Sequence, residues 1–108
     1  MRDYKLYLSD IREAVLKILN YSEGCTLETL KTDDKTYDSI LLNFLVIGEA
    51  AVKIPDEIKN RYADIDWRGM IGMRNIIAHG YFKIDPEIIW DSIQKDLPRL
   101  LDSIQKLL

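Results

Sequence analysis

The sequence predicts an all-α fold, a bundle of four long or medium helices plus one or two short ones. Three observations point there. Apolar residues recur at steps of three and four along most of the chain, aspartates stand repeatedly where a helix would begin, and no stretch alternates with the period of a strand. Tyr4, Leu8, Ile11, Val15 and Ile18 form one face of an amphipathic helix over residues 3–21, with Gly24 as its stop. Residues 26–31 are expected to form a short helical turn. Asp33 or Asp34 caps a long second helix running to Ile54, apolar nearly all round and therefore expected to be the most buried element. Pro55 interrupts it and opens a short helix, with Asp56 and Glu57 in the first turn where the macrodipole favours anions.

Asp66 caps the next helix, and Ile65 with Met70 has the spacing of a hydrophobic staple. That helix runs to about His79, where Gly80 offers a left-handed terminal position. Asp85-Pro86 pairs an N-cap with proline at the first helical position. The last helix continues to the carboxyl end with Trp90, Ile93, Leu97, Leu100, Ile104 and Leu107 on one stripe, bent near Pro98. Residues 1–108 are expected to be one domain.

Bulk properties narrow the setting. With 47% apolar residues a core can form without metal or disulfide, and the single Cys25 cannot make an internal bridge, which favours a reducing environment. Charges interrupt the first dozen residues, and the most apolar run, residues 40–47, falls far short of the ~20 residues a bilayer span needs. A soluble cytoplasmic protein without membrane attachment is expected. The net charge of −3 excludes a generic nucleic-acid-binding surface. Residues 53–83 nevertheless carry six Lys/Arg (Lys53, Lys59, Arg61, Arg68, Arg74, Lys83) against four Asp/Glu, a local +2.

Within that stretch lies Arg74-Asn75-Ile76-Ile77-Ala78-His79-Gly80-Tyr81, which holds the chain's one histidine. An imidazole with a guanidinium and an amide can move a proton while holding a phosphate. On an ideal helix Arg68, Gly72, Asn75 and His79 share a stripe, with Gly69 beside it, so the glycines would clear the approach to His79. Asn75, one turn before His79, could hydrogen-bond the ring and fix its tautomer. Arg74 lies five residues from His79, about 140° away around a straight helix. Both meet one phosphate only if the helix distorts, if the arginine wraps round, or if two chains face each other across a two-fold axis. Simpler roles compete: His79 as a helix cap, Glu49 as a buried structural partner for Arg74, Tyr81 and Phe82 as core aromatics closing a loop, Trp67 and Trp90 as core. No metal-ligand spacing is present, and no cofactor is expected.

Arg74, His79 and Tyr81 fit the R-x4-H-x-Y signature, and the chain resembles HEPN-domain ribonucleases. The surroundings extend the likeness: Ile47-Gly48-Glu49-Ala50, Pro55, Asp66-Trp67, Gly72-Met73-Arg74-Asn75, Asp85 through Trp90, and Leu97-Pro98. Over nearly its whole length it is similar to the HepT-type toxin branch. Gly80 is a mild departure, since an acidic residue is more usual there. The resemblance implies an antiparallel four-to-five-helix up-and-down bundle, HEPN-like, that dimerises with the signature at the interface, and metal-independent RNA cleavage with Arg74 and His79 catalytic and Asn75 supporting. It also implies a nucleotidyltransferase antitoxin of the MNT type that transfers AMP to Tyr81. Arg68 and Lys83 are candidate RNA contacts. The alternative reading is a non-catalytic helical module that docks a nucleotidyltransferase or binds a nucleotide.

Overall fold

The computed structural model describes residues 3–108, so positions 1 and 2 of the expected 1–108 unit lie outside the described residues. The first helix, α1 (Tyr4–Tyr21), begins where the Asp3 carboxylate accepts the Lys5 amide at 3.0 Å, and its apolar stripe is buried from Leu8 to Ile18. The chain leaves α1 through Gly24, whose φ of +76° places it in the left-handed region that suits glycine. A reciprocal cap between Thr26 and Thr29 starts the short α2 (Leu27–Thr32). Asp33 then accepts the Thr36 amide and opens α3 (Asp34–Lys53).

Pro55 ends that run, and α4 (Asp56–Arg61) carries its two acids in the first turn and its basic residues in the last, matching the macrodipole at both ends. Asp66 accepts the Gly69 amide at 2.9 Å and caps α5 (Trp67–Gly80). Both staple residues, Ile65 and Met70, are buried in the core. A 3-10 turn (Tyr81–Lys83) follows α5, and Asp85 caps α6 (Pro86–Asp91). The bend expected at Pro98 takes a specific form. A π-helical turn (Ser92–Asp96) precedes α7 (Leu97–Gln105). Pro98 has no N–H to offer the carbonyl four residues back, and a widened turn absorbs that loss without ending the helix.

Among the described residues the fold is all-helical, with α3 at its centre between α1 and α5, and α7 against α1. Buried side chains from α1, α3, α5 and the last helical run form one cluster, with Leu8, Ile11, Ile18, Ile40, Ile89 and Ile104 fully enclosed. The expectation for α3 needs correction. It is central but not covered all round, because Leu42, Val46 and Val52 are exposed together with Glu49. Trp67 is core, its indole N–H donating to the Tyr62 carbonyl at 3.1 Å, whereas Trp90 is only partly buried. No described helix is long and apolar enough to cross a membrane.

Candidate functional site

The guanidinium of Arg74 is built into place by two helices. Its Nε donates to Glu49 Oε1 at 2.6 Å across 25 residues of sequence, and its Nη1 donates to Asn75 Oδ1 at 2.8 Å. Two of the five N–H vectors of arginine are thereby used, and Nη2 has no partner among the described residues. The outer edge of the cation stays free for an anion. The close approach that permits this comes from Gly48. A Cβ there would sit 2.1 Å from Arg74 Cβ and 3.0 Å from the Met70 carbonyl, so only glycine lets α3 and α5 meet at this level.

Several expectations change at this point. Glu49 does pair with Arg74, but it is half-exposed rather than buried. An ion pair so accessible contributes about 0.2–1 kcal/mol, so its main effect is to orient the arginine. Asn75 engages Arg74 and not His79. The long guanidinium carries more donors and a full charge, and it captures the nearest amide oxygen. The two glycines expected to clear the site also differ from each other. Gly72 faces open space, whereas a Cβ at Gly69 would press on the capping carboxylate of Asp66 at 2.3 Å.

His79 is exposed and makes no hydrogen bond among the described residues. Helix α5 runs unbroken from Trp67 through Gly80, so no distortion brings the histidine round to Arg74. Their azimuths stay about 140° apart, with about 7.5 Å of axial rise between them. Within one chain the arginine leans toward α3 and the imidazole projects elsewhere. Gly80 does not adopt the expected left-handed position: its φ is −141°, and the chain passes directly into the 3-10 turn.

That turn exposes its aromatics instead of packing them. Phe82 is 96% exposed and Tyr81 45%, the two rings meeting edge to face at 5.1 Å. The Tyr81 hydroxyl is nevertheless tied down, donating to Asp38 Oδ1 at 2.6 Å across 43 residues. This bond raises the phenol's pKa above 10.0, because ionisation would surrender a proton the carboxylate holds. Slight burial and the charges of Asp38 and Asp34 add to it. Nothing in the local sequence announces the contacts that Asp38 and Gly48 make, since their partners lie far along the chain.

Arg68 and Lys83 are both exposed, at opposite ends of α5. Arg68 shares the azimuth of His79 but lies about 16 Å away along the axis. A cavity of about 180 Å³ opens on another side of α5, floored by Phe44, Ile47, Met70, Met73 and Leu97, and none of Arg74, His79 or Tyr81 lines it. Among the described residues no group of three or more His, Cys, Asp or Glu is placed to hold a metal ion.

Comparison with known proteins gives these features a context. The family model described as ribonuclease HepT-like matches residues 11–107. "Probable ribonuclease HepT" of Thermococcus cleftensis is 34% identical over 98% of this chain and 96% of its own. "Putative RNase MJ0127" of Methanocaldococcus jannaschii is 31% identical, over 99% of this chain and 88% of its own length. A third relative, from the same organism, is named "Gamma-glutamylcyclotransferase and putative RNase MJ0434". It matches 99% of this chain at 31% identity, and the chain spans 48% of that longer protein. No solved structure matches at a significant level.

Proposed function

The chain belongs to the HepT-like ribonuclease family, and on that premise we propose that it is a metal-independent endoribonuclease whose site is completed by two copies of the chain. The observation that carries this reading is the posture of Arg74. Its cation is fixed at the surface by Glu49 and Asn75 with Nη2 unengaged, on the same helix as an exposed, unpartnered His79. Because α5 is straight through both residues, one chain does not converge them, and a two-fold axis along this helix would. The open space at Gly72 and the exposed stripe of Leu42, Val46 and Val52 on the neighbouring α3 suit such a contact.

RNA supplies its own nucleophile. The His79 of one copy takes the proton of the 2′-OH, the O2′–P bond forms as the P–O5′ bond breaks, and the departing 5′-oxygen takes a proton from water, all beside the Arg74 of the other copy. Arg74 neutralises the charge gathering on the phosphorane. Asn75 and Glu49 hold the guanidinium where that charge develops. Arg68 and Lys83 extend the basic strip along the RNA backbone. Tyr81, two residues from His79, is the acceptor for AMP from a nucleotidyltransferase antitoxin of the MNT type. The added phosphate brings bulk and negative charge to the cleft and repels the substrate.

Purified protein incubated with RNA in EDTA tests this reading. Cyclic-phosphate ends that appear with the wild type and vanish with His79→Ala support it. An unmodified dimer that cuts no RNA would leave the module that binds a nucleotide or docks a nucleotidyltransferase as the better account.

A further inference from the structure

The hydrogen bond between Tyr81 and Asp38 has a consequence beyond the chemistry of cleavage. The turn that carries Tyr81 has little else to hold it: its aromatic side chains are exposed, and its closing backbone contact, Ile84 N to the Tyr81 carbonyl, is long at 3.5 Å. The 2.6 Å bond to Asp38 is the side-chain tether between this turn and the first turns of α3. Charge around the tether is one-sided. Asp34 and Asp38 act on Tyr81, and Asp38 and Asp85 act on the neighbouring Tyr37. The Tyr37 hydroxyl, buried beside them, has no hydrogen-bond partner. A neutral phenol donor suits this acidic corner, and an anion does not.

We infer that Asp38 is a positioning residue for the candidate site. It latches the Tyr81 hydroxyl, fixes the end of α5 that carries His79, and releases it when an anionic group on the Tyr81 oxygen removes the donor and meets Asp38 and Asp34. The inference rests on the ribonuclease reading for its functional consequence, but the latch is a property of the fold alone. Esterification of the hydroxyl therefore acts twice, by crowding the cleft and by freeing the helix end. Asp38 does not touch the substrate.

Two measurements separate the latch from the catalytic reading. Amide hydrogen exchange over residues 78–84 reports the latch whether or not RNA is cut. Tyr81→Phe and Asp38→Ala each accelerate it about tenfold, roughly what one charge-assisted hydrogen bond supports. The double variant is no faster than either single one, and Asp38→Asn, which keeps an acceptor oxygen, restores most of the protection. Tyr81→Glu, which places a fixed negative charge beside the two aspartates, exchanges faster than Tyr81→Phe. Unchanged exchange in the single variants, or additive effects in the double, overturns the latch; equal exchange in Tyr81→Glu and Tyr81→Phe overturns release by repulsion. In RNA cleavage, Asp38→Ala lowers kcat with little change in KM, and Asp38→Asn recovers it. A loss confined to KM overturns the positioning role. If the wild type cuts no RNA, the ribonuclease reading fails and the exchange data alone decide the latch.

Discussion

Replacing Gly48 with alanine probes the contact on which the whole site is hung. The added methyl would lie 2.1 Å from Arg74 Cβ, 2.8 Å from its Cγ and 3.0 Å from the Met70 carbonyl oxygen. The nearest atom is anchored to the backbone, so a rotamer change cannot relieve the clash, and α3 and α5 must separate. Overpacking of this kind costs about 1–3 kcal/mol. The gain in helix propensity from glycine to alanine returns about 1 kcal/mol. A net loss of up to about 2 kcal/mol remains, and for 108 residues that lowers Tm by up to about 9 °C. Moving α5 also draws Arg74 away from Glu49 at the 2.6 Å contact, so RNA cleavage falls more than stability does. Thermal unfolding and cleavage kinetics on the same preparation read both effects. Gly72→Ala is the control: nothing lies within 4 Å of its added methyl, so the isolated chain gains stability. If Gly48→Ala raises Tm as Gly72→Ala does, the close approach of the two helices is not what positions Arg74.

Other perturbations address the remaining parts. His79→Ala removes an exposed, unpartnered side chain; it leaves urea unfolding nearly unchanged and lowers kcat by about 10²–10⁴-fold, the usual range for a general acid–base. Arg74→Lys keeps the charge but cannot serve Glu49 and Asn75 together through a planar fork, so cleavage drops while stability shifts by well under about 1 kcal/mol. If Gly72 lies on the two-fold contact, Gly72→Ala weakens self-association in sedimentation experiments even as it stabilises the single chain. The pH dependence follows from Tyr81. The Asp38 hydrogen bond, foremost, holds its pKa above 10.0, so the folded chain keeps a proton that the unfolded chain releases. That contribution is complete below pH 10 and is lost as pH rises through the raised value. Urea unfolding from about pH 9 to 12 should fall more steeply for wild type than for Tyr81→Phe, whose difference isolates this group from Tyr37.

The elements of the fold were largely legible in the amino-acid order, because their signals are local. Asp33, Asp66 and Asp85-Pro86 announce helix starts by side-chain chemistry that acts over two or three residues, and each accepts an amide of the first turn. The signature residues stood out for the same reason, as a short run of chemically able side chains. What the order of residues concealed is what depends on meetings between distant segments. Gly48 gave no hint that it admits Arg74, and Asp38 reads as one more solvated acid on the first turns of a helix. Phe82 reads as a core aromatic closing the loop, and Gly80 as a left-handed cap. Both expectations failed because the chain after α5 turns along the surface instead of folding back. Helical spacing matches Asn75 to His79, whereas the longer reach of Arg74 takes its oxygen.

The central claim is that the site is assembled from two chains, and mixing inactive variants tests it most directly. Arg74→Ala and His79→Ala proteins are each purified, combined in equal amounts, unfolded and refolded together, and assayed for cyclic-phosphate ends in EDTA. If the guanidinium of one copy serves with the imidazole of the other, half of the dimers are mixed and each regains one intact site. Activity then returns to about a quarter of the wild-type level from two inactive parents. If both groups act within a single chain, every site in the mixture lacks one of them, and the mixture stays as inactive as either parent.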